Sequence, residues 1–302
     1  MPANNIRGSE AGAPLLIGAH VSIAGGVHKA IERGVAHECT AIQIFVKGNT
    51  RWDFPPLDAK EAELFRQARR DSPIKVVIAH SIYLVNMATS DPVLREKTIA
   101  DLVDELERCE VLGLDALVVH PGAHGGDGVE VGIERVATAL DEIVGAVGRG
   151  RCRILLETTA GQGTSLGADF RELREMLRRA RCRSRLGVCL DTAHVFAVGY
   201  DIRTAEGYRR LWHDFDTILG RELLVALHLN DSKVACATRV DRHQHIGRGM
   251  IGEAAFRRLL RDHTLRGLPM VTETPSSPNL EEIRWLFAAA RGRRIPPPQR
   301  ET

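Results

Sequence analysis

The stretch DALVVHPGAHGGDGVEVGIERVATALDEIVGAVGRGRCRILLET, residues 115–158, decides the fold. It opens on an apolar run, DALVVHP (115–121), and closes on another, RILLET (153–158). Neither run alternates strictly between apolar and polar, and both are rich in Val, Leu and Ile. That is the pattern of parallel strands buried on both faces. Between them Val129, Ile133, Val136, Leu140, Val144 and Val147 recur at steps of three and four, which predicts an amphipathic helix. A strand, a helix and a second strand form the unit of parallel α/β structure.

The unit repeats in both directions. Further strand-like runs are LLIGAH (15–20), TAIQIFV (40–46), IKVVIAH (74–80), LGVCLD (186–191), LLVALHL (223–229) and LPMVTET (268–274). Between the third and fourth runs, Ile99, Leu102, Leu106 and Cys109 keep helical spacing. Asp91-Pro92 marks the start of that helix and Gly113 its end. Eight such strands alternating with helices predict an α/β fold, a single (β/α)8 TIM barrel. The rival is a doubly wound open sheet, but no GxGxxG follows the first run, and Gly25-Gly26 lacks a third glycine. Nothing between 15 and 291 reads as a linker. One catalytic domain is expected over 14–292, with mobile tails at 1–13 and 293–302.

Composition agrees. The 302 residues are 44% hydrophobic and 26% charged, which excludes a disordered or fibrous chain. A single α/β barrel can use this length. No apolar run approaches the ~18 residues of a membrane span. The first residues, MPANNIRGSEAGAP, lack the apolar core of a signal peptide, so a cytoplasmic location is expected. The six cysteines (Cys39, Cys109, Cys152, Cys182, Cys189, Cys236) form no CxxC pair and read as free thiols of a reducing compartment. The net charge of +2, from 41 basic and 39 acidic residues, neither suggests nor excludes a nucleic-acid partner.

Ionisable side chains sit at or near the ends of the runs: His80, His120, Glu157, Asp191, His228 and Glu273. In a barrel these ends converge on the face that carries the catalytic loops. So many imidazoles and carboxylates in one cavity repel and desolvate each other unless cations neutralise them. Asp191-Thr-Ala-His194 and Arg239-Val-Asp241-Arg-His243 extend the set. The i, i+3 spacing brings Asp191 and His194 to one site if a helical turn begins there. Asp241 and His243, two apart, face the same side of an extended loop. The sum is five His, two Asp and two Glu, more than one tetrahedral zinc needs and enough for two or three ions if a carboxylate bridges. A mixed N/O set without cysteine suits zinc in an open hydrolytic site. Two ions ~3.5–4 Å apart can activate water and stabilise both oxygens of a phosphoryl displacement.

Nine stretches carry a resemblance: GAHVSIAGG, IQIFVKGNTRW, AHSIYLVN, VVHPGAH, LLETTAGQG, LGVCLDTAHVFAVGYD, LHLNDSK, RVDRHQHIGRGMIG and VTETP. In their order they resemble the endonuclease IV family of apurinic/apyrimidinic (AP) endonucleases over nearly the whole chain. The resemblance implies three Zn2+ ions. His80, His120 and Glu157 would hold the first. Glu157 would bridge to a second, completed by Asp191, His228 and Glu273. His194, Asp241 and His243 would hold the third. The implied activity is base excision repair chemistry: hydrolysis of the phosphodiester 5′ to an abasic site in duplex DNA, leaving a 3′-hydroxyl, with cleaning of blocked 3′ ends. Glu157 and Glu273 are the implied catalytic carboxylates, Glu157 fixing the separation of two ions and Glu273 orienting the nucleophile. The implied partner is duplex DNA with abasic sites or blocked 3′ ends, acted on by a monomer.

Lys47, Arg51, Lys233, Arg239, Arg242 and Arg248 are the expected phosphate contacts. Tyr83 matches a family position that enters the duplex at the lesion. The sequence departs from the family at Gly48-Asn49-Thr50-Arg51-Trp52, where Thr50 stands at a position commonly held by an intercalating Arg. Thr158 and Ser81 replace a common Asn and a common Asp. A different class of enzyme stays open: a divalent-metal sugar isomerase or epimerase of the xylose-isomerase-like barrels, built on Glu157, Asp191, His228 and Glu273. Such an enzyme has no evident use for His80, His120 and the RVDRH stretch.

Overall fold

A computed structural model of the chain describes residues 12–296. Most of both expected tails, 1–11 and 297–302, lies outside the described residues. Eight parallel strands close into a barrel: β1 (Leu16–His20), β2 (Ala41–Ile44), β3 (Val76–His80), β4 (Ala116–Val119), β5 (Arg153–Glu157), β6 (Leu186–Asp191), β7 (Leu224–His228) and β10 (Pro269–Thr272). The remaining two, β8 (Asp231–Ser232) and β9 (His243–Gln244), form an antiparallel ribbon beyond the end of β7. The described helices are α1 (His28–Ala36), α2 (Ala59–Arg70), α3 (Pro92–Leu112), α4 (Val129–Val147), α5 (Phe170–Arg179), α6 (Thr192–Val198), α7 (Ala205–Ile218), α8 (Glu253–Arg261) and α9 (Leu280–Ala290). None is long and apolar enough to cross a membrane.

Local signals work as the chemistry dictates. Asp91 caps α3, its carboxylate accepting from the N–H groups of Val93 and Leu94, and Pro92 opens the first turn. Such a cap stabilises a helix by about 0.5–2 kcal/mol. Gly113 closes α3 with φ 71°, a left-handed conformation that glycine adopts without strain. Val129 is an exception to the expected stripe: it is exposed at the first turn of α4, and the buried face starts at Gly132 and Ile133. Past α9, Arg257 donates to the carbonyl oxygens of Arg293 (2.9 Å) and Ile295 (2.6 Å), tying residues just beyond the helix to α8.

Strand parity places the site. Leu16, Ala41, Val76, Ile78, Ala116, Val118, Leu155, Cys189, Ala226 and Val271 fill the barrel interior. Ile17, Ile42, Val77, Leu117, Leu156, Leu190, Leu227 and Met270, at alternate positions, pack outward in the helix-facing core. Successive side chains on a strand point to opposite faces. His80, His120, Glu157, Asp191, His228 and Glu273 each stand two residues past an interior residue and so point into the barrel mouth. The same parity brings in His20 from β1 and Gln43 from β2. Gly18 in β1 has a packing reason: a Cβ there would lie 1.6 Å from the carbonyl oxygen of Ala41.

Candidate metal centre

Glu157 is fully buried at the centre of the mouth. Its Oε1 lies 2.9 Å from His228 Nδ1 and 3.4 Å from His194 Nδ1. Its Oε2 lies 3.1 Å from His80 Nε2 and 3.4 Å from His120 Nε2. Three groups of donor atoms, each within 4.8 Å of one another, overlap around it: His80, His120, Glu157; Glu157, Asp191, His228, Glu273; and Asp191, His194, His243. Glu157 belongs to the first two groups and Asp191 to the last two. Asp241 joins the third group, with one oxygen 3.1 Å from His194 Nε2 and the other 3.1 Å from His243 Nε2.

The local fold explains these positions. Asp191 ends β6 and caps α6, accepting from the N–H groups of Ala193 (2.7 Å) and His194 (3.0 Å). That turn returns His194 to the same pocket. His243 lies in β9, opposite Ser232, and Asp241 precedes it in the loop joining the ribbon's strands.

The residues fit divalent cations. Nε2 of His194 and Nε2 of His243 are buried and make no hydrogen bond, because the nearby Asp241 oxygens are not aligned to accept one. Buried nitrogens without partners are costly, and a cation facing both would satisfy them. The far side of the rings is already used. Nδ1 of His80 can donate to Ser81 O at 2.8 Å, and Nδ1 of His194 to Thr158 O at 2.7 Å. A backbone carbonyl on one nitrogen fixes the tautomer that leaves the other nitrogen free as a ligand. Two of the three departures from the family pattern, Ser81 and Thr158, therefore fall on residues that hold these rings through their main chain. Thr158 also accepts from Asp191 N through its hydroxyl, at 2.9 Å.

The electrostatics agree. Burial would lower His194 and His243, but the field of Asp191 and Asp241 wins and pushes them up to about 10 and about 9. Burial would raise Glu273, yet His228 beside it brings its carboxyl down to about 2. Without cations the charge of Asp191 and Asp241 is balanced by protons held on His194 and His243. Divalent ions would replace those protons.

Three residues escaped the reading of the sequence. Gln43 donates from Nε2 to Glu273 Oε1 at 2.5 Å, and its Oε1 lies 2.8 Å from His228 Nε2. Asn230 donates to Asp191 Oδ2 at 2.6 Å and accepts from Glu273 N at 2.8 Å. His20 lies 3.1 Å from Gln43 Nε2, and burial brings it down to about 4. The signal was present: His20 ends the first run, Gln43 is the polar residue inside AIQI, and Asn230 stands two residues after His228.

A cavity of about 560 Å³ opens over the cluster, lined in part by Tyr83, Lys233 and Arg242. Tyr83 is 71% exposed on its rim and stands edge-on to Phe45, ring centroids 5.6 Å apart. Lys233, Arg239 and Arg242 are exposed and Arg248 is half-buried. Arg51 is exposed with its guanidinium 5.3 Å over the Phe54 ring, next to exposed Thr50. Lys47 is a correction. It is 1% exposed, and its ammonium donates to Asp101 (2.7 Å) and Asp104 (2.9 Å) of α3. A buried lysine spent on two carboxylates does not reach a phosphate.

A closed (β/α)8 barrel with imidazoles and carboxylates converging at its mouth defines a TIM barrel whose donor clusters could hold metal ions. Residues 31–291 match the family of xylose isomerase-like TIM barrels. The chain is 44% identical over 260 residues to the probable endonuclease 4 of Citrifermentans bemidjiense, covering 86% of this chain and 92% of that protein. It is similar to the crystal structure of endonuclease IV from Thermus thermophilus, with a TM-score of 0.80 and 36% identity over 91% of this chain and 97% of the other. The chain belongs to the endonuclease IV family and is a DNA endonuclease. A D-tagatose 3-epimerase-like protein shares the fold alone, with a TM-score of 0.68 and 18% identity over 92% of this chain and 96% of that one.

Proposed function

We propose that this endonuclease is a zinc-dependent AP endonuclease of base excision repair, with one catalytic domain over residues 14–292. It hydrolyses the phosphodiester 5′ to an abasic site in duplex DNA, leaves a 3′-hydroxyl, and cleans blocked 3′ ends. The observation that carries this reading is the overlap of three donor groups around Glu157 and Asp191, with the Nε2 atoms of His194 and His243 left without hydrogen bonds. His80, His120 and Glu157 hold one ion. Glu157, Asp191, His228 and Glu273 hold a second. His194, Asp241 and His243 hold a third, beside Asp191. Nitrogen and oxygen donors without thiolate favour zinc in an open site. All six cysteines are free, which fits a reducing cytoplasm.

Zinc bound there would supply water activated near neutral pH and positive charge on both sides of the phosphorus. Glu157 fixes the spacing of two donor groups. Glu273, whose carboxylate accepts from Gln43 and whose main-chain N–H donates to Asn230, would orient the attacking water. Tyr83 enters the duplex at the lesion. Arg51, Lys233, Arg239, Arg242 and Arg248 take phosphates around the mouth.

The test is incision of a duplex carrying one abasic analogue by the zinc-loaded protein, run beside turnover of a ketose. A nick 5′ to the lesion with a 3′-hydroxyl supports the reading. Ketose turnover without incision overturns it and restores the isomerase alternative.

A further inference from the structure

Asp231 is fully buried and belongs to none of the three donor groups. Its carboxylate accepts from five backbone N–H groups: Ser232 (2.7 Å), Gly247 (3.0 Å), Gly249 (3.0 Å), Ile251 (2.9 Å) and Gly252 (3.2 Å). Apart from Ser232, these donors come from the segment IGRGMIG, 246–252, which wraps around the carboxylate. Successive main-chain N–H groups turned inward form a concave nest for an anion, and here the anion is a side chain of the same protein.

The glycines make the wrap possible. A Cβ at Gly249 would lie 2.4 Å from Asp231 Oδ1 and 2.4 Å from Ser232 O. Gly247 and Gly252 sit at φ 79° and 78°, the left-handed region that other residues avoid. Asp231 pairs with Gln244 and Ser232 with His243 in the β8–β9 ribbon, and Met250 N donates to Ser232 O at 2.7 Å. The carboxylate thus fastens the base of the ribbon whose loop delivers Asp241 and His243. On the far side, buried Glu282 of α9 accepts from Ile246 N at 2.8 Å and from the Thr274 hydroxyl at 2.6 Å, tying the same arm to the neighbour of Glu273.

We infer that Asp231 is a positioning residue: seated in the 246–252 nest, it holds the Asp241–His243 arm in register with His194. The inference rests on the metal reading of that arm. The arm lies outside the barrel's own hydrogen-bond ladder: its tip is held by Asp241 N donating to Gln162 Oε1 at 2.9 Å and Arg239 N to Ala197 O at 2.9 Å, and its base by the nest and Glu282.

The test uses full-length zinc-loaded protein with Asp231→Asn and, separately, Gly249→Ala, which crowds the nest but keeps the carboxylate. Zinc is counted and its retention measured against a competing chelator. Amide exchange is followed at 247–252, and circular dichroism reports the fold. Both variants should stay folded and keep two zinc equivalents. The affinity of the remaining equivalent should fall by about 10- to 100-fold, as for partners that orient metal ligands, and exchange at 247–252 should accelerate. Faster exchange with wild-type zinc affinity overturns the inference, as does unchanged exchange. Equal loss of all zinc, or of the fold, in both variants also overturns it and makes Asp231 a folding residue. Wild-type protein that never takes a third zinc contradicts the metal reading itself, a result separate from the exchange measured in the variants.

Discussion

Oε1 of Glu157 lies 2.9 Å from Nδ1 of His228, while its other oxygen faces His80 and His120. One buried carboxylate of β5 therefore joins two donor groups whose other members stand at or just past the ends of β3, β4, β6, β7 and β10. Removing its charge without changing its shape should disturb both groups at once.

Glu157→Gln is expected to keep the fold and to cut incision by well over the 10- to 100-fold typical of residues that only support a ligand. Zinc content and incision are compared with Glu253→Gln, a substitution on the outer helix α8. Wild-type incision by zinc-loaded Glu157→Gln would reject the bridging role.

Tyr83→Ala separates lesion recognition from chemistry. Tyr83 is exposed on the rim and is not a ligand, so zinc content should not change. Stacking on a base is worth roughly 1–3 kcal/mol, so affinity for abasic duplex should fall about 5- to 150-fold. A binding titration showing no loss would assign insertion to another loop.

Lys47 and Arg51, four residues apart, should behave differently. Lys47→Ala leaves buried Asp101 without its partner, and such breaks cost about 3–5 kcal/mol. Denaturant unfolding should show that loss, with the salt dependence of DNA binding unchanged. Arg51→Ala should leave stability nearly intact and lower the salt slope by about one ion on intact and abasic duplexes alike. A loss confined to abasic DNA would mean that Arg51, and not Thr50, stands at the family's intercalating position, one residue further along the loop.

The contrast between these two residues shows what a sequence can carry. The barrel and the convergence of its strand-end ionisable residues were legible because strand parity is local: an ionisable residue two positions past an interior apolar one must point into the mouth, as Glu157 does past Leu155. The same rule covered His20 and Gln43, but a neutral amide within an apolar run carries no charge signal. Lys47 was misplaced because its partners, Asp101 and Asp104, lie 54 and 57 residues away on α3. The part played by Asp231 was invisible because its partners are backbone N–H groups, which every residue but proline carries. The β8–β9 ribbon is two residues a side, too short for any periodicity.

Proton release gives a pH test. In the metal-free protein His194 and His243 are raised to about 10 and about 9, from 6.5. Their contribution to stability is therefore fully present below about 6.5 and is lost as pH rises through about 9 to 10. Zinc must displace these protons, so its affinity should rise with pH up to that range. Calorimetric titration at pH 8 in buffers of different ionisation enthalpy should show about two protons or more released on loading. Release of less than one would contradict the protonated arm.

The most direct measurement is the zinc content of active protein purified without chelator. The account predicts close to three zinc ions per chain, one for each donor group at the mouth of the barrel. A reproducible value of one or less, in protein that still incises an abasic duplex, would contradict it.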